Sequence, residues 1–518
     1  RMQRVSPMAT SPHDPEVLYY GSQYVHRTRD KGVTWERISP DLTARPECCQ
    51  GVSGEPITRD VTGEEFYSTL YAITESPLEK GVIWTGSNDG PFYVTRDNGK
   101  RWTNITPKDL PPGGRVQFIE ASPHRKGSAY YAVYRWLLGD YQPYIYLTND
   151  YGNTWTRLTD GKNGVPADWP TRVVREDPHR EGLLYAGTEF GMFISFDNGK
   201  RWQPFQLNLP NVPVTDIKVH RKDLVVSTQG RAIWILDNLT SLHQLSSQVK
   251  TSDVYLFKPR DGYRTRVGPT NLGPMIEYYL PSVPEHAVII DVFDQKGNVI
   301  NTYNSETPVL RPGRAAGANM PGVGTAGPES DPDAAPTRRA APPPRVTKTP
   351  GINRFTWDVR NQAGVTLPPG NYQVRLKTGN VKLTQPFNVL IDPRVAADGV
   401  TLADLQEQFE HNMRMRELVN SVNQLVTRVR EAQKKDVNNA DRVNAIAAKL
   451  LTEPVRYGKP GLQAHITYLA GMTANVDQKI GRDAIERYHV LKKEFDTLLA
   501  EADQILGSNS STATTTPE

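Results

Sequence analysis

Over 518 residues, 61 Lys and Arg against 57 Asp and Glu leave a formal charge of +4, too near neutrality to mark a chain that binds polyanions or nucleic acid. The length allows several hydrophobic cores, and 9 Trp, 23 Tyr and 13 Phe beside 40 Gly and 41 Pro favour many short strands over long helices. No apolar run is long enough to span a bilayer, and Arg1 opens no leader pattern.

In chain order, residues 1–245 read as about five blades of a β-propeller. Four segments share the pattern [ST]-x-D-x-G-x-x-W, the Asp-box: Thr28 to Trp35, Thr95 to Trp102, Thr148 to Trp155 and Ser195 to Trp202. Asp30, Asp97, Asp150 and Asp197 turn the chain by accepting bonds from N–H groups just ahead, and the glycine takes a positive φ. Trp35, Trp102, Trp155 and Trp202 open the next strand and are expected to be buried between sheets. These aspartates are structural and belong on the outer rim. A Pro-turn recurs upstream of each box, as in Ser11-Pro-His-Asp-Pro15 and Asp177-Pro-His-Arg-Glu-Gly182, so each unit reads as a four-stranded blade. A worn fifth copy runs from His220 to Asp237.

His13, His124 and His179 occupy equivalent turns, which a ring of blades holds far apart, so no shared metal site is expected. Cys48 and Cys49 are the only cysteines. A disulfide between neighbours is strained, which leaves neither a disulfide scaffold nor a CxxC metal site. The first blade lacks a convincing opening strand. Earlier blades are therefore expected from an upstream segment or another polypeptide.

Stretches such as Leu18-Tyr-Tyr-Gly21, Arg37-Ile-Ser-Pro-Asp-Leu-Thr43, Arg172-Val-Val-Arg-Glu-Asp177, Leu183 to Gly191 and Ser227 to Trp234 resemble a bacterial family. Its members are labelled BNR-repeat or "glycosyl hydrolase" proteins and are related to the sortilin (Vps10) propeller. The resemblance runs through nearly the whole chain. It implies a longer exported protein, secreted, periplasmic or at the cell envelope, of which this chain is the C-terminal half and whose other half carries the remaining blades. It supplies no catalytic set, because the Asp-box shared with sialidases and xyloglucanases marks a fold.

Residues 246–396 change pattern. Strands are expected at Met275–Leu280, Ala287–Phe293, Val299–Tyr303, Gly351–Asp358, Pro368–Leu376 and Pro386–Ile391, as in an immunoglobulin-like sandwich serving as spacer or docking module. A Pro-, Ala- and Gly-rich insertion at about 305–350 lacks the apolar side chains to fold. Over 397–507 the period turns helical: Leu402, Leu405, Phe409, Met413, Leu418, Val422, Leu425 and Val429, then helices near Asp441–Leu451, Leu462–Met472 and Ile485–Ala502, which together predict an antiparallel bundle. Thr401 and Asp404 form a capping pair. Residues 508–518 read as a disordered tail.

The turns between second and third strands face the channel mouth, opposite the boxes. They carry Gln23-Tyr24, Asn88-Asp89, Trp136 to Tyr141 with Asp140, Glu189-Phe190, and Gln229 with Arg231, while Asp168-Trp169 reach the same side from another loop. Tyr24, Trp136, Tyr141, Trp169, Phe190 and Arg231 are candidate ligand contacts. Asp89, Asp140 and Glu189 are candidate catalytic carboxylates, since a glycosidic bond is cleaved between two of them. Asn-Asp-Gly and Glu-Phe-Gly turns use the same residues without chemistry, and that reading is the simpler one. Sialidases need three arginines, and only Arg231 stands in a suitable turn. No P-loop, HExxH, GxSxG or GxGxxG sits in a fitting context, and no metal or cofactor is expected. The leading expectation is a secreted or envelope propeller that binds a peptide or glycan, and the alternative is a glycoside hydrolase.

Overall fold

The repeated turn builds itself from two side chains and two backbone N–H groups. Thr28 donates its hydroxyl to Asp30 Oδ1 at 2.7 Å and accepts the Gly32 N–H at 2.9 Å, while Asp30 accepts the Thr34 N–H at 2.9 Å. The other three copies repeat the same set around Asp97, Asp150 and Asp197. Lys31, Asn98, Tyr151 and Asn198 sit at φ of 58 to 62°, and each following glycine lies between 84 and 93°. Two successive left-handed residues match the twist of a hairpin, and glycine takes the second at no steric cost. A computed structural model describes residues 5–51, 67–265, 273–306, 345–435, 439–453 and 458–507.

The chain divides into two compact units, Arg1–Leu239 and Thr240–Glu518. The first is a series of antiparallel meanders, propeller-like blades. They comprise β1 (Met8–Thr10), β2 (Leu18–Gly21), β3 (Val25–Thr28) and β4 (Glu36–Arg37); β5 (Leu70–Glu75), β6 (Ile83–Ser87), β7 (Phe92–Thr95) and β8 (Thr103–Asn104); β9 (Arg115–Ala121), β10 (Ala129–Tyr134), β11 (Tyr144–Thr148) and β12 (Thr156–Arg157). Next come β13 (Thr171–Glu176), β14 (Leu184–Thr188), β15 (Gly191–Ser195) and β16 (Gln203–Pro204), and then a three-stranded sheet of β17 (Val214–His220), β18 (Asp223–Thr228) and β19 (Ile233–Leu236). The opening strands β1, β5, β9, β13 and β17 pack one against the next. No comparable packing joins β1 to β17 among the described residues. The first blade does have an opening strand, contrary to expectation: Met8 pairs with Tyr20 and Thr10 with Leu18. Its three residues carry too little alternation to be legible.

Three of the four motif tryptophans reach back to the blade before them. Trp102, Trp155 and Trp202 donate their indole N–H to the carbonyls of Ile38, Ile105 and Leu158, three residues past the preceding tryptophan. Burial is correspondingly uneven, which corrects the expectation of uniform burial. Trp202 is 4% exposed, Trp102 and Trp155 are half-buried, and Trp35 is 43% exposed. Trp35 has no earlier blade among the described residues to enter, so its N–H turns to Gly32 O in its own hairpin. His13 and His124 donate to the backbone carbonyls of Ser76 and Asp177 in the following blade, and so act as staples. No group of three metal-ligating side chains occurs among the described residues.

Cys48 and Cys49 are bonded to each other on a short turn at Glu47–Cys49. Their Cα atoms stand 3.8 Å apart.

The second unit opens with α1 (Thr240–Gln244) and α2 (Ser247–Thr251), then β20 (Tyr255–Leu256), β21 (Gly262–Arg264), β22 (Met275–Leu280), β23 (Ile289–Phe293), β24 (Val299–Asn304), β25 (Gly351–Thr356), β26 (Gly370–Thr378) and β27 (Val381–Ile391). A three-stranded sheet, β20-β22-β25, and a five-stranded one, β21-β27-β26-β23-β24, share a core of Ile276, Tyr278, Ile290, Phe355, Trp357, Val374 and Leu376. Of the insertion expected near 305–350, residues 307–344 lie outside the described residues, as does the tail at 508–518. Val346, at the end of the insertion, is buried in the two-sheet core.

After α3 (Pro393–Ala397) come α4 (Leu402–Lys435), α5 (Ala440–Leu450), α6 (Leu462–Ala474) and α7 (Arg482–Leu506), packed around Leu418, Val422, Leu425, Val429, Ile446, Ile466, Leu491 and Phe495. The Thr401–Asp404 capping box forms in both directions. The start of the stripe differs from expectation, with Leu402 exposed and Gln408, His411 and Asn412 buried. Arg264 of β21 accounts for part of this, donating to Gln408 and, at 2.9 Å, to Asp477. Sheets and helices both fall within the unit Thr240–Glu518.

No helix among the described residues is long and apolar enough to cross a membrane.

Candidate functional site

The opening strands of the second to fifth blades each carry one extra residue near their start. The pairing skips Tyr71, Gln117, Arg172 and Thr215 in turn. Such bulges break the regular side-chain alternation and re-aim the extra residue. They lie at the end of the blades where the second strand finishes and its loop begins, as the pairing of Arg115 with Tyr134 marks in the third blade.

The longest of these loops follows Tyr134. Trp136–Leu138 forms a single 3-10 turn, closed by Gly139 at φ 72°, whose N–H bonds Trp136 O. Arg135 anchors it: one Nη donates to the carbonyls of Pro111, Pro112 and Gly113 at 2.8 to 2.9 Å, and Nε donates to Asp140 at 2.7 Å. The turn therefore holds Trp136, Leu137, Leu138 and Tyr141 out into solvent, with Phe190 of the fourth blade beside them.

Those aromatics are contiguous. Trp136 stacks on Tyr134 at 6.5 Å, meets Tyr141 edge-on at 5.1 Å and lies 6.5 Å from Phe190, which is 5.2 Å from Trp169. Four of the six expected ligand contacts thus come together across the third and fourth blades. Tyr24 and Arg231 do not join them. Tyr24 lies under the Arg37 guanidinium in the first blade, at 4.8 Å, and Arg231 is exposed in the β18–β19 turn. No ring contact links either to the cluster among the described residues.

The three candidate carboxylates are all engaged. Asp89 is buried and accepts the N–H groups of Ala44 and Arg45, so it fastens the loop after β4. Asp140 accepts from Arg135, from the Tyr144 hydroxyl at 2.8 Å and from the Gln142 N–H at 3.1 Å. Partial burial pushes its carboxyl up, but these three donors outweigh it and hold Asp140 below the usual carboxylate range. Glu189 is buried against the Arg172 guanidinium, which also stacks over the Tyr134 ring at 4.7 Å. Burial and the bond to Glu189 push the Tyr134 hydroxyl up to about 12. Glu189 and Arg172 therefore meet Tyr134, while Asp140 lies in the loop that carries Trp136. Asp168 stands exposed on the rim.

Arg115, Arg135 and Arg172 went unseen in the sequence, where Arg231 was the one arginine placed at the mouth. They arise from strand ends and a bulge instead of turns, so the loop positions gave no signal. The polar residues that interrupt the apolar strand starts, at Arg115-Val-Gln117 and Thr171-Arg172-Val, are the trace that was available.

No family model matches the chain. It is similar to an oligoxyloglucan-reducing end-specific xyloglucanase of Emericella nidulans, 29% identical over 115 residues, which is 21% of this chain and 13% of that protein. Among solved structures it is similar to a GH74 xyloglucanase from Xanthomonas campestris, at 16% identity and a TM-score of 0.35, over 52% of this chain and 42% of that one. It is also similar to PorZ, a surface component of the type-IX secretion system of Porphyromonas gingivalis, at 14% identity and a TM-score of 0.33, over 74% of this chain and 51% of that one. The chain thus spans well under two thirds of the length of each of these proteins.

Proposed function

We propose that the mouth of the third and fourth blades binds a glycan, with sugar rings stacked on Trp136, Tyr141, Phe190 and Trp169. The observation that carries this is the contiguous run of aromatics in which Trp136 and Tyr141, exposed on the loop that Arg135 anchors, continue through Phe190 to the half-buried Trp169. The rings are inclined to one another by 47 to 86°, so each offers its own apolar face, and a pre-set ring takes the C–H face of a sugar with little entropy loss. A peptide is the competing ligand for the same face. A glycan array on the full chain, followed by calorimetry on the best binder, tests the reading. Trp136→Ala should weaken binding roughly tenfold, about 1.4 kcal/mol. Failure of every glycan to bind, or tighter binding of unmodified peptides, refutes it.

Hydrolysis is the second reading, favoured by the stretch similar to a xyloglucanase. It would use Asp140 as base or nucleophile, since its donors keep it ionised, and would require Glu189 to leave its ion pair with Arg172 before it could donate a proton. Asp89, buried against backbone amides, would serve only to hold its loop. A reducing-sugar assay in which Glu189→Gln retains full activity would end this assignment.

The wider setting is proposed on the same footing. The protein acts outside the cytoplasm, secreted or at the cell envelope, as the family resemblance implies. Further blades, on an upstream segment or another chain, pack against the first blade, a view supported by the exposed Trp35. The two-sheet module serves as an immunoglobulin-like spacer.

A further inference from the structure

The arginines around this mouth differ in how their charge is met. Arg135 pairs with Asp140 and Arg172 with Glu189. Arg115, the first residue of β9, has no carboxylate partner among the described residues. Its guanidinium lies over the Tyr71 ring, 4.5 Å from the centroid, and its Nε is buried without a hydrogen bond. A partly buried cation without an anion is costly to hold in a folded protein unless something supplies one. Arg115 is also the register partner of Tyr134, which stacks on Trp136, so the unpaired cation stands beside the aromatic cluster.

We propose that Arg115 forms an acidic subsite of the glycan face, taking a carboxylate-bearing sugar whose carboxylate meets the guanidinium. The inference rests on the glycan reading above and narrows its ligand. A carboxylate and an apolar ring face are combined in one unit by uronic and sialic acids, and neutral glucans lack the first. Arg172, already neutralised by Glu189, borders the subsite without competing for the anion.

Calorimetry on the full chain with four probes tests this: an oligogalacturonate, the same oligomer after reduction of its carboxyl groups, sialyllactose, and an acidic peptide of equal charge. One of the two acidic sugars should bind at least tenfold tighter than the reduced oligomer, and which one does so identifies the source of the carboxylate. Arg115→Gln should abolish that margin while leaving binding of the reduced oligomer unchanged, and Arg115→Lys should keep part of it. Melting temperatures of both variants within a few degrees of the parent establish that they fold. If the reduced oligomer binds as well as the acidic sugars, the subsite is refuted and the glycan face stands. If no sugar binds, the glycan face falls and takes the subsite with it. Tighter binding of the peptide than of either acidic sugar refutes both.

Discussion

Replacing Trp202 and Trp35 by alanine, one at a time, separates the tryptophan of a packed blade from that of an unpacked one. Trp202 is 4% exposed, packs with Leu158, Val165, Leu184 and Phe193, and bonds Leu158 O at 3.0 Å. Its removal forfeits the buried ring, leaves a cavity and orphans a carbonyl, a combination that costs about 3–5 kcal/mol. Trp35 is 43% exposed, bonds only its own turn and touches the edge of Tyr20 at 5.9 Å. Its loss should stay below about 1 kcal/mol. For a unit the size of Arg1–Leu239, each kcal/mol moves the melting temperature by about 2–4 °C, so Trp202→Ala should fall by roughly 6–20 °C and Trp35→Ala by less than about 4 °C. Thermal melts followed by near-UV circular dichroism read both. Equal shifts, or a larger one for Trp35, would show that the indole bonds between blades do not organise this unit.

Acid should act on the repeated turns. The Thr34 hydroxyl and N–H hold Asp30 down to about 2, and the Arg101 N–H and guanidinium do the same for Asp97. A depressed carboxylate contributes stability above its unfolded pKa and loses it as pH falls through the folded value, so the deficit of Asp30→Asn or Asp97→Asn should be full at pH 6 and shrink to nothing between about pH 4 and 2. A deficit that persists unchanged at pH 2 would contradict this. At the joint of sheets and helices, Arg264 and Asp477 are 2% and 3% exposed. Arg264→Met strands a buried carboxylate and should cost about 3–5 kcal/mol in urea melts, and Arg264→Met with Asp477→Leu should regain most of it. A double variant as unstable as the single one would mean that the pair is not what joins these elements.

The blade turns were legible because their information is local: eight residues contain the hydroxyl, the carboxylate, the left-handed glycine and the tryptophan. The loop aromatics were legible for the same reason, since position in the repeat assigns them to one end. What the aromatics touch was not. Arg135 finds its carbonyls more than twenty residues upstream, and Arg172 reaches Glu189 across a hairpin and from a bulge. Neither relation leaves a period to detect. Likewise Gln408 breaks the apolar stripe of α4 for the sake of Arg264, 144 residues earlier. Asp89 read as a site residue on the strength of its turn, yet its partners, Ala44 and Arg45, belong to the previous blade.

The indole bonds of the first unit all point the same way, each blade's tryptophan toward a carbonyl that lies earlier in the chain. A protein made from its N-terminus therefore exposes every acceptor before the donor that will use it. Each hairpin can seat as it leaves the ribosome, on a surface already complete, without waiting for distant sequence. The arrangement is a ratchet for synthesis in one direction. Circular permutants that begin inside the arc would have to store one unseated tryptophan until the last blade arrived.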